Sequence, residues 1–483
     1  MDFKLSNKAY ILIKSFIWVF YLFFLVYFFN GEHYNEIVIS VLLCALVIQM
    51  TLISFVDNWY RNKRPTLLDW FRLTTFFVLI INFFGIIKNI NRQENFNGYI
   101  LKPEFILLGI ITILTGLFAL KISEFLYVLQ HRKSGGKKNP EVKIIYDLRS
   151  PNLFFLFTIA LAFIQIYLVL SGQVGYGTFQ ENTTSDLSFL FQIVFILTNL
   201  FLTVLAIFKY QYATKNKYLG IVFWFFFFIQ VLYGFLTGMK EAIIVPVVIV
   251  LIPYLLAGRK LPKKLIYIGF IALLLVYPLN NNYRDILNGY PNLKKNEAFG
   301  LALAKTMELS FSENVNQGSE NFSDRLSLFP YLIYAVEKEG EWKQYKHMDR
   351  YVYLPVAWIL PRFVIPDKPK SENGAILNEM IFGYSTNSLT VTTYGWAFLE
   401  GGLVYVFFAF LLFGFFISYF QYNLGVTNFF GLLLYIGILV SLLKVESDIY
   451  FIITAVLHQI LICFLFYKFM IKKQVLTKTR QVS

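Results

Sequence analysis

Residues 361–370, PRFVIPDKPK, set Arg362, Asp367, Lys368 and Lys370 among three prolines. Proline fixes φ and removes a backbone donor, so this stretch is no helix interior. The residue before a proline is pushed toward extended backbone, which holds Arg362 and Lys368 apart on a stiff strap. Two preorganised cations suit a diphosphate, since arginine forks onto two oxygens and lysine adds a point charge. The plainer reading is a proline-rich surface turn with solvated charges. Other charged groups also sit beside long apolar runs, where each costs roughly 2.5–3.5 kcal/mol at membrane depth and needs a partner or a task. Arg284, in NNNYRDILNGY (280–290), is either an interfacial arginine paired with Asp285 or a binding group. Arg325, in ENFSDRLSLFPY (320–331), heads an apolar run that Ser323 or Asp324 can cap. An arginine in a first turn opposes the helix dipole, which favours a binding role. GMKEA (238–242) puts Lys240 and Glu241 at a hairpin tip, and KVESD (444–448) makes another charged turn. TTYGWAFLEGGLVYVF (392–407) carries Tyr394 and then Glu400 at the entry to an apolar run, where Glu400 either caps a helix or does chemistry.

The elements that must position these groups follow from composition. The chain has 483 residues, 57% hydrophobic, 19% aromatic and 15% charged, against about 45–50% apolar and 25% charged in soluble domains. It is an integral membrane protein. A net charge of +14 raises nucleic acid as a partner, but the basic residues cluster in short loops between apolar runs, so no nucleic acid is expected. Cys44 and Cys463 lie in apolar runs and the four histidines lack ligand spacing, so neither metal nor cofactor is expected. Residues 11–29 read as a first span rather than a cleaved signal.

About 20 helical residues cross the hydrocarbon core. Twelve runs qualify: 11–29, 36–55, 70–87, 104–128, 152–170, 188–207, 218–236, 242–256, 265–279, 401–420, 429–443 and 450–468. The bias of Lys and Arg places RNKR (61–64), HRKSGGKK (131–138), GRKLPKK (258–264) and KKQVLTKTR (472–480) on one side with both termini, the cytoplasmic side. The expected organisation is all-α: nine spans over 1–279, a large outer loop over 280–400, three spans over 401–470 and a basic tail over 471–483. Within the loop, 297–311 and 326–339 have helical apolar spacing that suits the membrane interface. Outer aromatics such as Tyr394 either anchor that interface or stack on sugar rings.

The late outer loop, the strap LPRFVIPDKPKSENG (360–374) and the re-entry TTYGWAFLEGGLVYVF together resemble the Wzy-type O-antigen or oligosaccharide repeat-unit polymerases. The resemblance implies a GT-C-like helical glycosyltransferase in the bacterial inner membrane. Its partners would be membrane lipid and oligosaccharides linked to undecaprenyl pyrophosphate, with room for a chain-length regulator. It implies transfer of a glycan from the lipid to a hydroxyl of another lipid-linked unit, without metal. Arg284, Arg325, Arg362, Lys368, Lys240 and Tyr394 are then the expected substrate-binding groups. The expected bases are Glu400, Asp367 and His347, Glu400 first because a carboxylate at the membrane entry is partly desolvated.

Two other readings stay open. A ligase or related lipid-linked sugar transferase shares the pattern, although the first outer loop, NGEHYNE (30–36), lacks an adjacent acidic pair. A flippase for the same lipids fits twelve spans, but should show related halves, and no internal repeat is visible.

Overall fold

The computed structural model describes residues 5–29, 34–62, 65–81, 83, 86, 101–133, 144–171, 173–175, 188–212, 216–238, 240–259, 278–287, 289–290, 293–308, 312–314, 316, 328–342, 373–383, 390–424 and 428–475. α1 (Asn7–Phe28) precedes α2 (Asn35–Ile48), which runs through a π turn (Gln49–Ile53) into α3 (Ser54–Asn62). α4 (Leu67–Thr75) begins on a reciprocal capping box between Thr66 and Asp69 and passes into a second π turn (Phe76–Ile80). Then come α5 (Pro103–Lys133), strand β1 (Ile144–Leu148), α6 (Pro151–Leu170), α7 (Ser188–Tyr210), α8 (Leu219–Thr237) and α9 (Lys240–Leu256). α10 (278–287), α11 (Lys295–Glu308), α12 (Phe329–Trp342) and α13 (Asn373–Phe382) follow. α14 (Thr392–Asn423), α15 (Phe429–Leu442), α16 (Ile449–Met470) and strand β2 (Ile471–Val475) complete the chain.

The protein is a polytopic helical membrane protein. In hydrocarbon every backbone group must be satisfied within the chain, which the helix does locally. Among the described residues eight helices are long and apolar enough to cross a membrane, and Ala242–Leu256 and Phe429–Leu442 are shorter apolar helices. The run expected at 70–87 is helical as far as it is continuously described, and most of 265–279 lies outside the described residues.

The exception to an all-α fold is a two-stranded antiparallel ribbon, in which Ile144 faces Val475 and Leu148 faces Ile471. The stretch expected as a tail from residue 471 therefore starts as a strand. β1 alternates, with Tyr146 and Leu148 buried and Asp147 exposed, and Ile471 is buried opposite Leu148 while Lys472 and Lys473 stay exposed. Tyr146 packs on Tyr212, Phe429 and Tyr467, fixing what we call the ribbon face of the bundle.

α5 is the central helix, packed against α14, α12 and α2. Gly116 lets Tyr394 in: a Cβ there would stand 2.6 Å from the Tyr394 ring. α14 is not one rod. Gly401 and Gly402 have non-helical backbone, and Gly402 lies at φ 63°, ψ −156°, a region essentially reserved to glycine. The Tyr394 and Phe410 rings stack at 4.4 Å, whereas 16 residues of straight helix would separate them by about 24 Å. The chain therefore doubles back at the two glycines, and residues 392–400 descend beside 403–423. Expected in the outer loop, they are buried from Val391 to Glu400.

α12 also differs from the interfacial helix expected at 326–339. Phe329, Leu332, Ile333, Tyr334, Ala335 and Val336 are all buried, so apolar residues meet protein on more than one side. Its start is tied in by the Leu328 amide, which donates to the Val78 carbonyl in the second π turn at 3.1 Å. Lys102 pairs with Glu337 at 2.8 Å near its other end. In α11 Ala298 and Ala302 are buried, and Leu301 and Met307 are exposed.

Candidate functional site

Three segments close on the turn between α8 and α9, on the face opposite the ribbon. α8 ends at Gly238, left-handed at φ 67°, and α9 starts immediately after with Lys240. α10 docks there: the Tyr283 hydroxyl donates to the Leu236 carbonyl at 2.9 Å and Arg284 Nε to the Gly238 carbonyl at 3.1 Å. Lys295, first residue of α11, donates from Nζ to the Val174 carbonyl at 2.6 Å. A Cβ on Gly175 would stand 2.8 Å from Lys295 Nζ and 3.0 Å from the Thr237 carbonyl. Arg284 is thus tied to the Thr237–Gly238 cap, and Lys295 to the Val174–Gly175 turn that packs on Thr237.

Lys295 is 8% exposed, and no ion pair to it occurs among the described residues. Burial pushes its ammonium down to about 8 and pushes the Tyr283 hydroxyl up to about 12. Two helices begin at this junction, each with a lysine first, and helix N-termini favour anions. Lys295, held on a backbone carbonyl with no ion pair among the described residues, makes with Arg284 and the two helix starts a cradle for a phosphate-type anion.

A second element carries Glu400, buried at 4% exposure immediately before the glycine reversal. The other end of the same segment is pinned. The Thr393 amide donates to the Val445 carbonyl at 2.7 Å, and its hydroxyl bonds the carbonyls of Val445 and Ser447 at 2.9 and 2.8 Å. Thr392 sits at φ 69°, costly for a β-branched residue. Tyr394, expected to face sugar, is instead fully buried between Phe71 and Phe410, with its hydroxyl 3.3 Å from that of Thr75. Its ring locks residues 392–400 into the bundle.

The structure therefore joins Arg284 to the turn that bears Lys240, whose own side chain lies outside the described residues. Arg325, His347, Arg362, Asp367 and Lys368 also lie outside them. Sequence reasoning missed Lys295, although its signal is visible in NLKKNEAF (292–299): paired lysines heading a helix on a loop exempt from the charge bias. It also missed a buried charge network. Arg72 pairs with Asp69 at 3.3 Å and Glu124 at 2.8 Å, and Lys121 bonds Ser54. Three of these charges sat inside the expected spans 70–87 and 104–128.

No curated protein and no solved structure gives a significant match to this chain. A family match does exist, and it covers most of the chain: residues 10–361, taking in the Arg284–Lys295 cradle and ending at the first residue of the strap. This polytopic helical protein belongs to the family of the O-antigen polysaccharide polymerase Wzy.

Proposed function

We propose that this chain joins oligosaccharide repeat units carried on undecaprenyl pyrophosphate, at the outer face of the inner membrane. The observation that carries the reading is that Arg284 is held on the Thr237–Gly238 cap before Lys240, while Lys295 is held on the Val174–Gly175 turn that packs on Thr237. In the proposed step an acceptor hydroxyl oxygen bonds to the anomeric carbon of the donor glycan. The bond from that carbon to the diphosphate oxygen breaks, and its electron pair leaves on the lipid diphosphate. Arg284 and Lys295, with Lys240, stabilise that charge. Arg325, Arg362 and Lys368 are proposed to complete the clamp, and Glu400 to take the acceptor proton, ahead of Asp367 and His347. Tyr394 acts by fixing the segment that carries Glu400.

The ribbon face is proposed as cytoplasmic, with both termini on it, because in sequence the Lys/Arg-rich stretches adjoin the helix and strand ends on that side. Twelve spans and a GT-C-like arrangement are proposed on the same basis: eight long helices, two short apolar ones, the 67–81 helix and the run at 265–279. A chain-length regulator is proposed as a partner.

The test is extension of a purified lipid-linked repeat unit by the purified full chain. Wild type is expected to give a ladder of lengths, and Arg284→Ala and Arg362→Ala only the single repeat at equal protein level. Long polymer from both variants would overturn the diphosphate clamp, and unextended repeats with wild type would point to a transporter.

A further inference from the structure

On the ribbon face, α7, α8 and α9 pack together and enclose a small box of rings with a cation at each end. Lys209, in the last turn of α7, places Nζ 4.5 Å from the centre of the Phe223 ring and 4.7 Å from that of Trp224. Arg259, just past the end of α9, places Cζ 5.3 Å from the Tyr210 ring and 5.9 Å from the Tyr254 ring. Tyr210 meets Tyr254 edge-on at 5.3 Å and Phe223 at 5.7 Å, so the rings form one continuous wall.

The box lacks an anion. Neither cation forms an ion pair among the described residues, and the chain offers no carboxylate from 187 to 240 or from 242 to 284. In sequence the stretches 209–217 and 258–264 instead carry Lys209, Lys215, Lys217, Arg259, Lys260, Lys263 and Lys264. A terminal lysine that only snorkels to water would turn away from a neighbouring cation. Here Lys209 sits over Phe223 and Arg259 over Tyr210, two rings 5.7 Å apart, so both cations face one ring wall, an arrangement that a bound anion between them would relieve. The rings leave the ammonium and guanidinium donors free of acceptors on that side.

The surroundings specify the kind of anion. An exposed apolar stripe runs down α8 away from the box: Ile221 at 69%, Trp224 at 44%, Phe228 at 62% and Leu232 at 40%. A free phosphate has no use for such a stripe, whereas an acyl chain does. Basic pockets between helix ends are where membrane proteins take acidic headgroups. We propose that Lys209 and Arg259, on the ring wall of Tyr210, Phe223, Trp224 and Tyr254, hold the phosphate headgroup of an anionic phospholipid whose acyl chain lies along α8. The site stands on the ribbon face, apart from the cradle at Arg284 and independent of the proposed reaction.

The test uses the purified full chain in neutral detergent, with thermal unfolding titrated by phosphatidylglycerol, by phosphatidylcholine of the same acyl chains and by inorganic phosphate. Only phosphatidylglycerol is expected to raise the midpoint strongly. Lys209→Gln/Arg259→Gln should weaken that response roughly thirtyfold, on the usual worth of two cations at an acidic lipid. Lys472→Gln/Lys473→Gln, which removes the same charge from the exposed strand of the ribbon, should leave it unchanged. An equal response in both double variants would overturn the site, and an equal response to inorganic phosphate would overturn the lipid. A second measurement needs no charge variant. The fluorescence lost in Trp224→Phe defines the Trp224 signal, and brominated phosphatidylglycerol should quench that signal at lower concentration than brominated phosphatidylcholine. Equal quenching by the two lipids would also overturn the proposal.

Discussion

Lys295 is a single buried charge that the proposed reaction would keep against stability for the sake of its ligand. A lysine at 8% exposure whose donated bond goes to a carbonyl is poorly compensated in the free protein. Lys295→Met should therefore raise the thermal midpoint of the detergent-solubilised protein while lowering its use of lipid-linked donor, the exchange of stability for function common at sites. The pH dependence has a definite sign. The folded ammonium titrates near 8, below its ordinary 10.5, so between those values the unfolded chain holds the extra proton and stability rises with pH. Below about 8 the lysine is charged in both states and that gain is absent. Binding of a diphosphate runs the other way, because it needs the charged form and weakens as pH climbs through 8. Measured together, unfolding midpoint and donor KM should both rise between pH 7.5 and 9.5 in wild type, stability gained as binding is lost, and Lys295→Met should flatten both trends. A flat wild-type profile, or a KM unchanged in Lys295→Met, would remove Lys295 from the cradle.

At the scale of elements the telling piece is residues 392–402. Nine residues of helix are held by Thr393 on the carbonyls of Val445 and Ser447, by Tyr394 against Phe410, and by a reversal that Gly402 alone can make. A side chain at φ 63°, ψ −156° costs on the order of 1–3 kcal/mol, and the strain would be relieved by shifting the segment that ends in Glu400. Misplacement of a reacting group by about 1 Å can cost roughly a hundredfold in rate. Gly402→Ala is therefore expected to lose most polymer-forming activity with a modest drop in midpoint. Gly300→Ala, in open space on α11, should keep both. Chain-extension assays normalised to folded protein distinguish these outcomes, and wild-type activity in Gly402→Ala would detach the reversal from function. In sequence the pair Gly401–Gly402 after Glu400 was in plain view, yet the segment before it read as loop. Its helix is too short for a span, and what buries it lies elsewhere, at Gly116, Phe71 and Val445. α12 was misplaced for the same reason, since a 14-residue apolar helix looks alike whether one face meets lipid or several meet protein.

For the whole molecule, the spans were legible because lipid demands long apolar runs, and those runs need no knowledge of their neighbours. What holds the spans together was less so. Arg284 could be picked from its position at a run's end, but Lys295 depends on Val174, Gly175 and Thr237, which only the fold brings near. The strap that drew most attention begins where the family match stops, at Pro361. The largest omission, the Asp69–Arg72–Glu124 network, is also a matter of assembly. Arg72 on α4 is fully buried and bridges Asp69 on its own helix to Glu124 on α5. Asp69 also takes the Asn58 amide of α3 at 2.7 Å, and Gln421 of α14 accepts from the Leu68 amide at 3.4 Å. The guanidinium thus joins α4 to α5, while Asp69 and the Leu68 amide tie α3 and α14 beside it, on the ribbon side and away from the proposed site. Removing one member of a buried ion pair costs about 3–5 kcal/mol, because the partner charges stay buried alone, whereas removing all members is often neutral. Arg72→Met should then unfold at a much lower temperature than wild type, and Asp69→Asn/Arg72→Met/Glu124→Gln should recover most of the loss. Arg72→Lys should fall between them, since an ammonium cannot fork onto both carboxylates. Polymer formed per folded molecule should stay near wild type in the triple variant. If the triple variant folds well and still makes none, the network reaches the reaction as well as the scaffold, through Thr75 and Tyr394.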